Sequence, residues 1–455
     1  MKGGSEMKRR KTLRPMWILP LLLALLMAWA LPARAEIVGI TGTSFNLEAK
    51  ADYISTSDGG SYLMWGYSNG AGRMQYPGPT LIVNQGEKIT VNLTNGLNVR
   101  TSIVFPGQRV TTAGGVSGLI TREAKANGGT VTYSFTASEP GTYLYRSGTN
   151  PDLQVEMGLV GAIIVRPSGY NAVNNKIAYN HADSAYDQEF LYILTEMDPL
   201  IHNAVAFGLP VDMTTYFPTN WFINGRNWPD VLTENFVPWL PTQPYNCLPV
   251  MHPGDKVLLR CIGAGLDPHP MHFHGNNFDV IAEDGRLLQS AAGAGADLAW
   301  KGVTRRFLPG KTTDIVWTWT GEELGWDIYG HDPALTYARS DINAGWPGNI
   351  CEQYVPGNAS TYFDPYTKEY CPDHGVPFPV TIPPTTSLTL GQLYSGSPFL
   401  GGGGDLPVGH PGLNAGGSYF YMWHSHTEKE LTSNDIWPGG LVSFVVIMHP
   451  AVPLP

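Results

Sequence analysis

Short β-branched and aromatic runs, bounded by Gly, Pro and Asn, recur along the chain and predict strands rather than helices. Several of these runs occur twice in the same order. Gln85-Gly86-Glu87-Lys88-Ile89-Thr90-Val91 is echoed by Pro253-Gly254-Asp255-Lys256-Val257-Leu258-Leu259, each a Gly-acid-Lys turn that launches an alternating strand. Downstream, Ile103-Val104-Phe105-Pro106-Gly107 matches Met271-His272-Phe273-His274-Gly275, and Tyr143 to Thr149 matches Tyr421 to Thr427. Each copy closes with Gly and an apolar strand, Gly161 to Val165 and Gly440 to Ile447. Ordered matches of this kind predict a duplicated β-sandwich unit. The first copy is expected over 37–168 and the second over 186–455, joined by a polar linker at 169–185. The second is longer because about 331–417 is inserted between its late strands, a stretch with two of the four cysteines and the Gly401 to Gly404 run.

Composition agrees with an all-β chain: 53 Gly, 37 Pro and only 15% charged residues in 455 leave little room for long helices. The formal net charge is −10, and the N-terminal stretch holds a disproportionate share of the basic residues, so the remainder is more acidic still. Such a surface repels a nucleic-acid backbone, which excludes DNA and RNA as partners. Residues 1–35 read as a cleavable signal: a basic run from Lys8 to Arg14, an apolar run from Met16 to Leu31, and Ala33-Arg34-Ala35 before the cut. A secreted or periplasmic protein with no transmembrane anchor after cleavage at Ala35 is the expectation. Cys247, Cys261, Cys351 and Cys371 suit that oxidising compartment. Three pairings are possible, and the local one, Cys247 with Cys261 and Cys351 with Cys371, is expected.

Five of the 12 histidines fall in two clusters, His269-Pro270-Met271-His272-Phe273-His274-Gly275 and His424-Ser425-His426. Residues i and i+2 of a strand share a face, so His272 and His274 project together, as do His424 and His426. Two such strands side by side place four imidazoles around one volume, a donor set for copper, with zinc as an alternative. His181, His202, His252, His374 and His449 have no partner in sequence, and His331 and His410 lie in or beside the insertion, as surface residues or as a cover for the pocket. Trp317, Trp319, Trp326, Trp346 and Trp437 cluster around the insertion, as packing or as a channel lining. No phosphate-binding Gly-Lys loop or His-Glu-x-x-His helix is present.

With those two histidine motifs the chain resembles the multicopper oxidase family of cupredoxin-fold proteins. Tyr76 to Thr80 through Leu93-Thr94-Asn95, Gln154 to Gly161 and Phe222-Ile223-Asn224-Gly225 are similar to the family's framework segments. The resemblance implies an all-β fold of two cupredoxin-like Greek-key β-sandwich domains. It also implies a three-copper cluster, held by two His-x-His pairs from the first domain and two from the last, where oxygen is reduced to water. A separate mononuclear copper is bound by a Cys thiolate and two histidines. His269 corresponds to the mononuclear site, and His272, His274, His424 and His426 to cluster positions. The sequence departs from that pattern twice. Val104, Pro106, Arg146 and Gly148 stand where the first-domain ligands belong, and Ser425 stands in the slot of the cysteine. The downstream third histidine is missing too, since Thr427-Glu428-Lys429-Glu430 offers only carboxylates. Glu428, Glu430 and Asp435 are either a solvated loop or oxygen ligands at a rim.

The expected protein is therefore an exported copper-dependent oxidoreductase acting on metal ions or small aromatics, with one or two copper ions and no blue centre. Two alternatives stay open, a non-catalytic scaffold and a copper storage or delivery protein. A protein partner of another kind that completes the cluster is a variant of the first reading, because every copy of this chain lacks the first-domain ligands.

Overall fold

The computed structural model describes residues 37–322, 351–366, 368–374, 376, 419–448 and 454. The leader, most of the insertion, and His331, His410, His449, Trp326 and Trp346 lie outside the described residues. What is described is built mainly of strands, arranged as two β-sandwiches. The helices Pro151–Glu156 and Pro199–Ala206 are short, and Asp198 caps the second by accepting from the Leu200 N–H at 2.8 Å.

The first sandwich faces two sheets together. One runs in the order Ser61–Asn69, Ser44–Ser55, Lys88–Asn95, Gly129–Thr136, Thr111–Gly114; the other is Ile40–Thr41, Leu81–Asn84, Val160–Arg166, Gly141–Arg146. The second repeats the plan. Asn220–Ile223, Gln188–Met197, Lys256–Gly263, Thr312–Thr318, Phe278–Glu283 and Arg286–Leu287 form one sheet, with Trp300–Gly302 also beside Phe278–Glu283. Val250–Met251, Val442–Ile447, Tyr419–Ser425, His269–Phe273 and Thr304–Phe307 form the other.

The repeated turn has a repeated physical basis. Gly86 and Gly254 take φ of +85° and +81°, a region open to glycine without a Cβ penalty. In each turn the acid that follows reaches back three residues: Asn84 N–H donates to Glu87 Oε2, and His252 N–H to Asp255 Oδ2, both at 2.9 Å. The launched strands then pair alike. Lys88–Asn95 lies parallel to Ser44–Ser55 and antiparallel to Gly129–Thr136; Lys256–Gly263 lies parallel to Gln188–Met197 and antiparallel to Thr312–Thr318.

Burial patterns show how the two sandwiches meet. Lys88–Asn95 alternates buried and part-exposed residues, as a strand with one wet face must, whereas Val160–Arg166 is buried throughout. Alternate residues of the buried strands feed different cores. Tyr143, Tyr145, Ile163 and Val165 point into the first sandwich, while Leu144, Val160, Ala162 and Ile164 join Leu191, Ile193, Met197, Phe222 and Ile262 of the second. A core shared between the sandwiches results.

Charged groups are buried along the same interface. Arg166 pairs with Glu189, Glu189 also accepts from Arg260 Nε at 3.0 Å, and Asp314 accepts from Thr142 Oγ1 and Tyr179 OH, both at 2.6 Å. Burial alone would raise the Glu189 carboxyl, but Arg166 and Arg260 outweigh it and hold the group down at about 2. A depressed folded value stabilises above the unfolded one and loses that contribution as pH falls. The network is thus expected to lose on the order of 3 kcal/mol between about pH 4.5 and 2. At neutral pH, Glu189→Gln leaves buried guanidinium charge uncompensated and should cost about 3–5 kcal/mol. Urea unfolding from pH 7 to 2 checks both, because the variant must be weaker at pH 7 and flatter in acid.

Two of the cysteines behave as expected and two do not. Cys351 and Cys371 form a disulfide, with Cα atoms 5.4 Å apart. Cys247 and Cys261 are free and fully buried, which corrects the expected second bridge. Both sit in the apolar core of the second sandwich, where Cys247 Sγ contacts the Leu191 carbonyl at 3.6 Å. There they fill space as small apolar side chains, and burial pushes both thiols up, out of the reactive range.

Candidate metal centre

The His269–Phe273 and Tyr419–Ser425 strands are antiparallel neighbours with His272 directly opposite His424 and Met271 opposite Ser425. That register, with the two-residue side-chain period, brings four imidazoles together at the strand ends. Ring centroids are 4.7 Å apart for His272 and His274, 4.6 Å for His272 and His426, 4.9 Å for His424 and His426, and 5.1 Å for His274 and His424. His274 Nε2 and His424 Nε2 face each other at 3.1 Å. Two nitrogens each ~2.0 Å from one metal ion stand ~3 Å apart, so this pair already has the spacing of cis ligands.

Three of the other ring nitrogens are taken by the protein. His272 Nδ1 meets Thr304 Oγ1 at 2.7 Å, His424 Nδ1 meets the Ser425 carbonyl at 2.8 Å, and His426 Nδ1 meets Glu428 Oε1 at 3.2 Å. Anchoring Nδ1 fixes the tautomer and aims Nε2, the usual outer-shell arrangement for a ligating histidine. Burial, then the neighbouring imidazoles, push His272 down to about 3, and burial lowers His424, so both carry free lone pairs at neutral pH. Thr304 is exposed, and water can replace its hydroxyl. Thr304→Val is therefore expected to weaken copper binding by about tenfold, the low end of outer-shell effects, as read by competition with a chelator.

His269 does not join this group. It is fully buried, with Nε2 2.7 Å from Glu196 Oε2 and Nδ1 3.1 Å from Glu430 Oε2. The second contact is an ion pair whose angle falls short of a directed hydrogen bond. Burial alone would lower His269, but the two carboxylates outweigh it and raise the ring to about 10. Ser425 Oγ in turn donates to Glu430 Oε2 at 2.6 Å. The position that the resemblance assigns to a mononuclear copper is thus filled by a salt-bridged cluster. Glu430 is neither a solvated loop residue nor a rim ligand, while Glu428 and Asp435 are exposed.

The first sandwich carries the same arrangement in neutral form. Val104 bridges Arg146 antiparallel as His272 pairs with His424, and Thr101 occupies the place of His269. Thr101 Oγ1 and Ser147 Oγ both reach Gln154 Oε1, at 2.8 and 2.6 Å. Ser147 and Gln154 therefore mirror Ser425 and Glu430. Val104, Pro106, Arg146 and Gly148 carry no imidazole, so these four positions of the first unit supply no histidine ligand.

The remaining histidines are structural where described. His181 accepts from Asp183 N–H in a turn, His374 lies 2.8 Å from Glu369, and buried His202 contacts the Leu63 carbonyl and Glu156 across the interface. Sequence reasoning missed Glu196 and Glu156. Glu196 carried one signal, the only charged residue in the mostly apolar run Leu191 to Met197.

Two multicopper oxidase family models match the chain, over residues 55–169 and 219–311. Among curated proteins, an iron transport multicopper oxidase of Saccharomyces cerevisiae is 32% identical over 149 residues, 32% of this chain and 21% of that protein. A copper resistance protein A homolog of Pseudomonas syringae pv. tomato is 30% identical over 139 residues, 30% of this chain and 22% of its own. The matched segment thus spans about a fifth of these relatives. Of solved structures, a multicopper oxidase titled mgLAC aligns with TM-score 0.52 and 18% identity over 90% of this chain and 87% of its own. A blue copper oxidase from Nitrosomonas europaea aligns with TM-score 0.51 and 17% identity, covering 88% and 85%. These likenesses show a shared fold of cupredoxin-like β-sandwiches. The chain thus carries multicopper oxidase family domains over residues 55–169 and 219–311, with no histidine at 104, 106, 146 or 148 and with serine at 425 between the two histidines of the second cluster.

Proposed function

We propose that this chain is an exported copper protein whose second sandwich binds one or two copper ions through His272, His274, His424 and His426, and that it oxidises metal ions or small aromatic reductants. The observation that carries the reading is the convergence of four imidazoles with three Nδ1 atoms anchored by protein groups, above all the 3.1 Å approach of two Nε2 atoms. The donor set fits copper, since neutral imidazole nitrogen is a strong ligand for it and no thiolate adjoins the four rings. Copper there would supply one-electron redox chemistry with a position open to oxygen or a small reductant. The protein's part is to hold the rings in one tautomer, to exclude water from the inner side with Trp423 and Phe273, and to leave access past the half-exposed His426.

The two family-model matches support copper and oxidoreductase chemistry. Cleavage after Ala35 and export belong to the same proposal, and N-terminal sequencing of the mature protein should begin at Glu36. Among the described residues no helix is long and apolar enough to cross a membrane. The first test is metal content after copper loading and exhaustive dialysis, with optical and EPR spectra on the same sample. Retained copper without an intense blue band supports the pocket, and turnover of a ferrous, cuprous or phenolic reductant by this chain alone supports catalysis. Copper held without turnover of any reductant favours storage or delivery. Loss of all copper leaves the scaffold reading, which the salt-bridged mononuclear position favours. Activity that appears only on adding a histidine-bearing partner protein would identify a hetero-complex.

A further inference from the structure

We infer that Trp423, Trp317 and Trp300 form an electron path between the surface and the histidine pocket, serving where Ser425 and the His269 ion pairs have removed a mononuclear copper. The inference rests on the pocket being a copper site.

Trp423 is fully buried, immediately precedes His424, and donates its indole N–H to the His274 carbonyl at 3.1 Å. One side chain thus touches both histidine strands. Trp317 packs edge-on against it, with centroids 5.1 Å apart and planes at 76°, and donates its own N–H to the Asn276 carbonyl at 3.1 Å. Gly275, between His274 and Asn276, permits this approach, since a Cβ there would lie 2.9 Å from the Trp317 ring. Phe278 stands opposite Trp317 in register and contacts Trp300, with centroids 6.4 Å apart. The Trp300 strand lies two strand spacings, about 10 Å, from that of Trp317. Trp300 is 39% exposed and ends the row at solvent.

Chemistry makes the row passable. Indole is the most readily oxidised of these rings, and each inner N–H is bonded to a peptide carbonyl, too weak a base to take its proton. A one-electron vacancy therefore moves without proton loss. The Arg305 guanidinium lies 5.2 Å from the Trp300 ring and disfavours positive charge there, an effect moderated by its pairing with Glu283. A vacancy at Trp300 is thus short-lived, filled by a reductant at the surface when the pocket is the oxidant and by the inner indoles when the oxidant is outside. Tyr192, 6.2 Å from Trp423, is a buried branch. Apolar packing alone would be served equally by phenylalanine, which gives the test its contrast.

The mature chain, loaded with cuprous ion without oxygen, is flashed with a ruthenium polypyridyl photosensitiser and a sacrificial electron acceptor. The photo-oxidised sensitiser gains one electron, copper(I) loses one, and no bond or proton moves. Formation of the copper(II) EPR signal is expected to slow about tenfold or more in Trp423→Phe and in Trp317→Phe, and to be unchanged in Trp239→Phe. Copper content is measured on each sample, so a lost metal is not mistaken for a lost path. Wild-type rates in both inner variants at equal copper would overturn the inference. A chain that retains no copper sinks the pocket reading instead, and the metal-free protein then decides the path. A tryptophanyl radical that migrates to a buried indole and loses that component in Trp423→Phe supports it; a radical confined to Trp300 overturns it.

Discussion

Replacing His274 and His424 together by alanine is expected to abolish copper retention, with apparent affinity falling by about four orders of magnitude or more. Four-ligand sites hold a metal with about 10–16 kcal/mol, so each donor contributes roughly 3–4 kcal/mol, and removing two costs about 6–8. This pair is the sharpest choice because its Nε2 atoms already face each other at 3.1 Å, the separation one shared ion imposes. The fold should survive. His424 is buried, and its Nδ1 bond to the neighbouring Ser425 carbonyl is local, whereas Trp423 and Phe273 keep the two strands packed. Metal analysis after dialysis, with a thermal melt alongside, reads the result. Full copper retention by a folded double variant would sink the histidine pocket. Replacing His181, which serves a turn 88 residues before the nearer cluster in sequence, should leave copper content unchanged.

Why the pocket was readable in sequence, and its neighbour was not, follows from the range of the contacts. His272 with His274 and His424 with His426 are separated by two residues, so the strand period alone places each pair on one face. The duplication was equally local in its signals: Gly86 and Gly254 mark identical turns, and the later matched segments put Val104 opposite Arg146 as His272 stands opposite His424. By contrast the His269 cluster depends on Glu196, 73 residues away on another sheet, and no short-range pattern announces that approach. The shared core between the sandwiches was half visible. The unbroken apolar run Val160 to Val165 says that both faces are covered, and only the structure shows that Leu191, Ile193 and Phe222 cover the second. Cysteines give the plainest case: local pairing suggested two bridges, yet Cys247 and Cys261 lie in the core as packing residues while Cys351 and Cys371 join.

The largest gain of signal is expected from Ser425→Cys combined with Glu430→His. In the native chain Ser425 Oγ, Glu430 Oε2 and His269 Nδ1 already converge, at 2.6 and 3.1 Å about the carboxylate oxygen, in a site closed to solvent. What they enclose is a protonated imidazole between two carboxylates, with no donor soft enough for copper. The double variant replaces the hydroxyl by a thiolate donor and one anion by an imidazole, giving the His2Cys set of blue copper sites. Glu196 remains on His269 Nε2 at 2.7 Å and holds Nδ1 toward the new ligands. Copper loading should therefore produce an intense blue charge-transfer band and a narrowed copper hyperfine splitting, neither of which is expected from the native protein. Ser425→Cys alone should not, because the Glu430 carboxylate beside a buried thiol opposes its ionisation. An uncoloured double variant that binds one extra copper would mean that the backbone at 425 and 430 no longer brings these positions around a metal, and that the salt bridges replaced the geometry as well as the ligands.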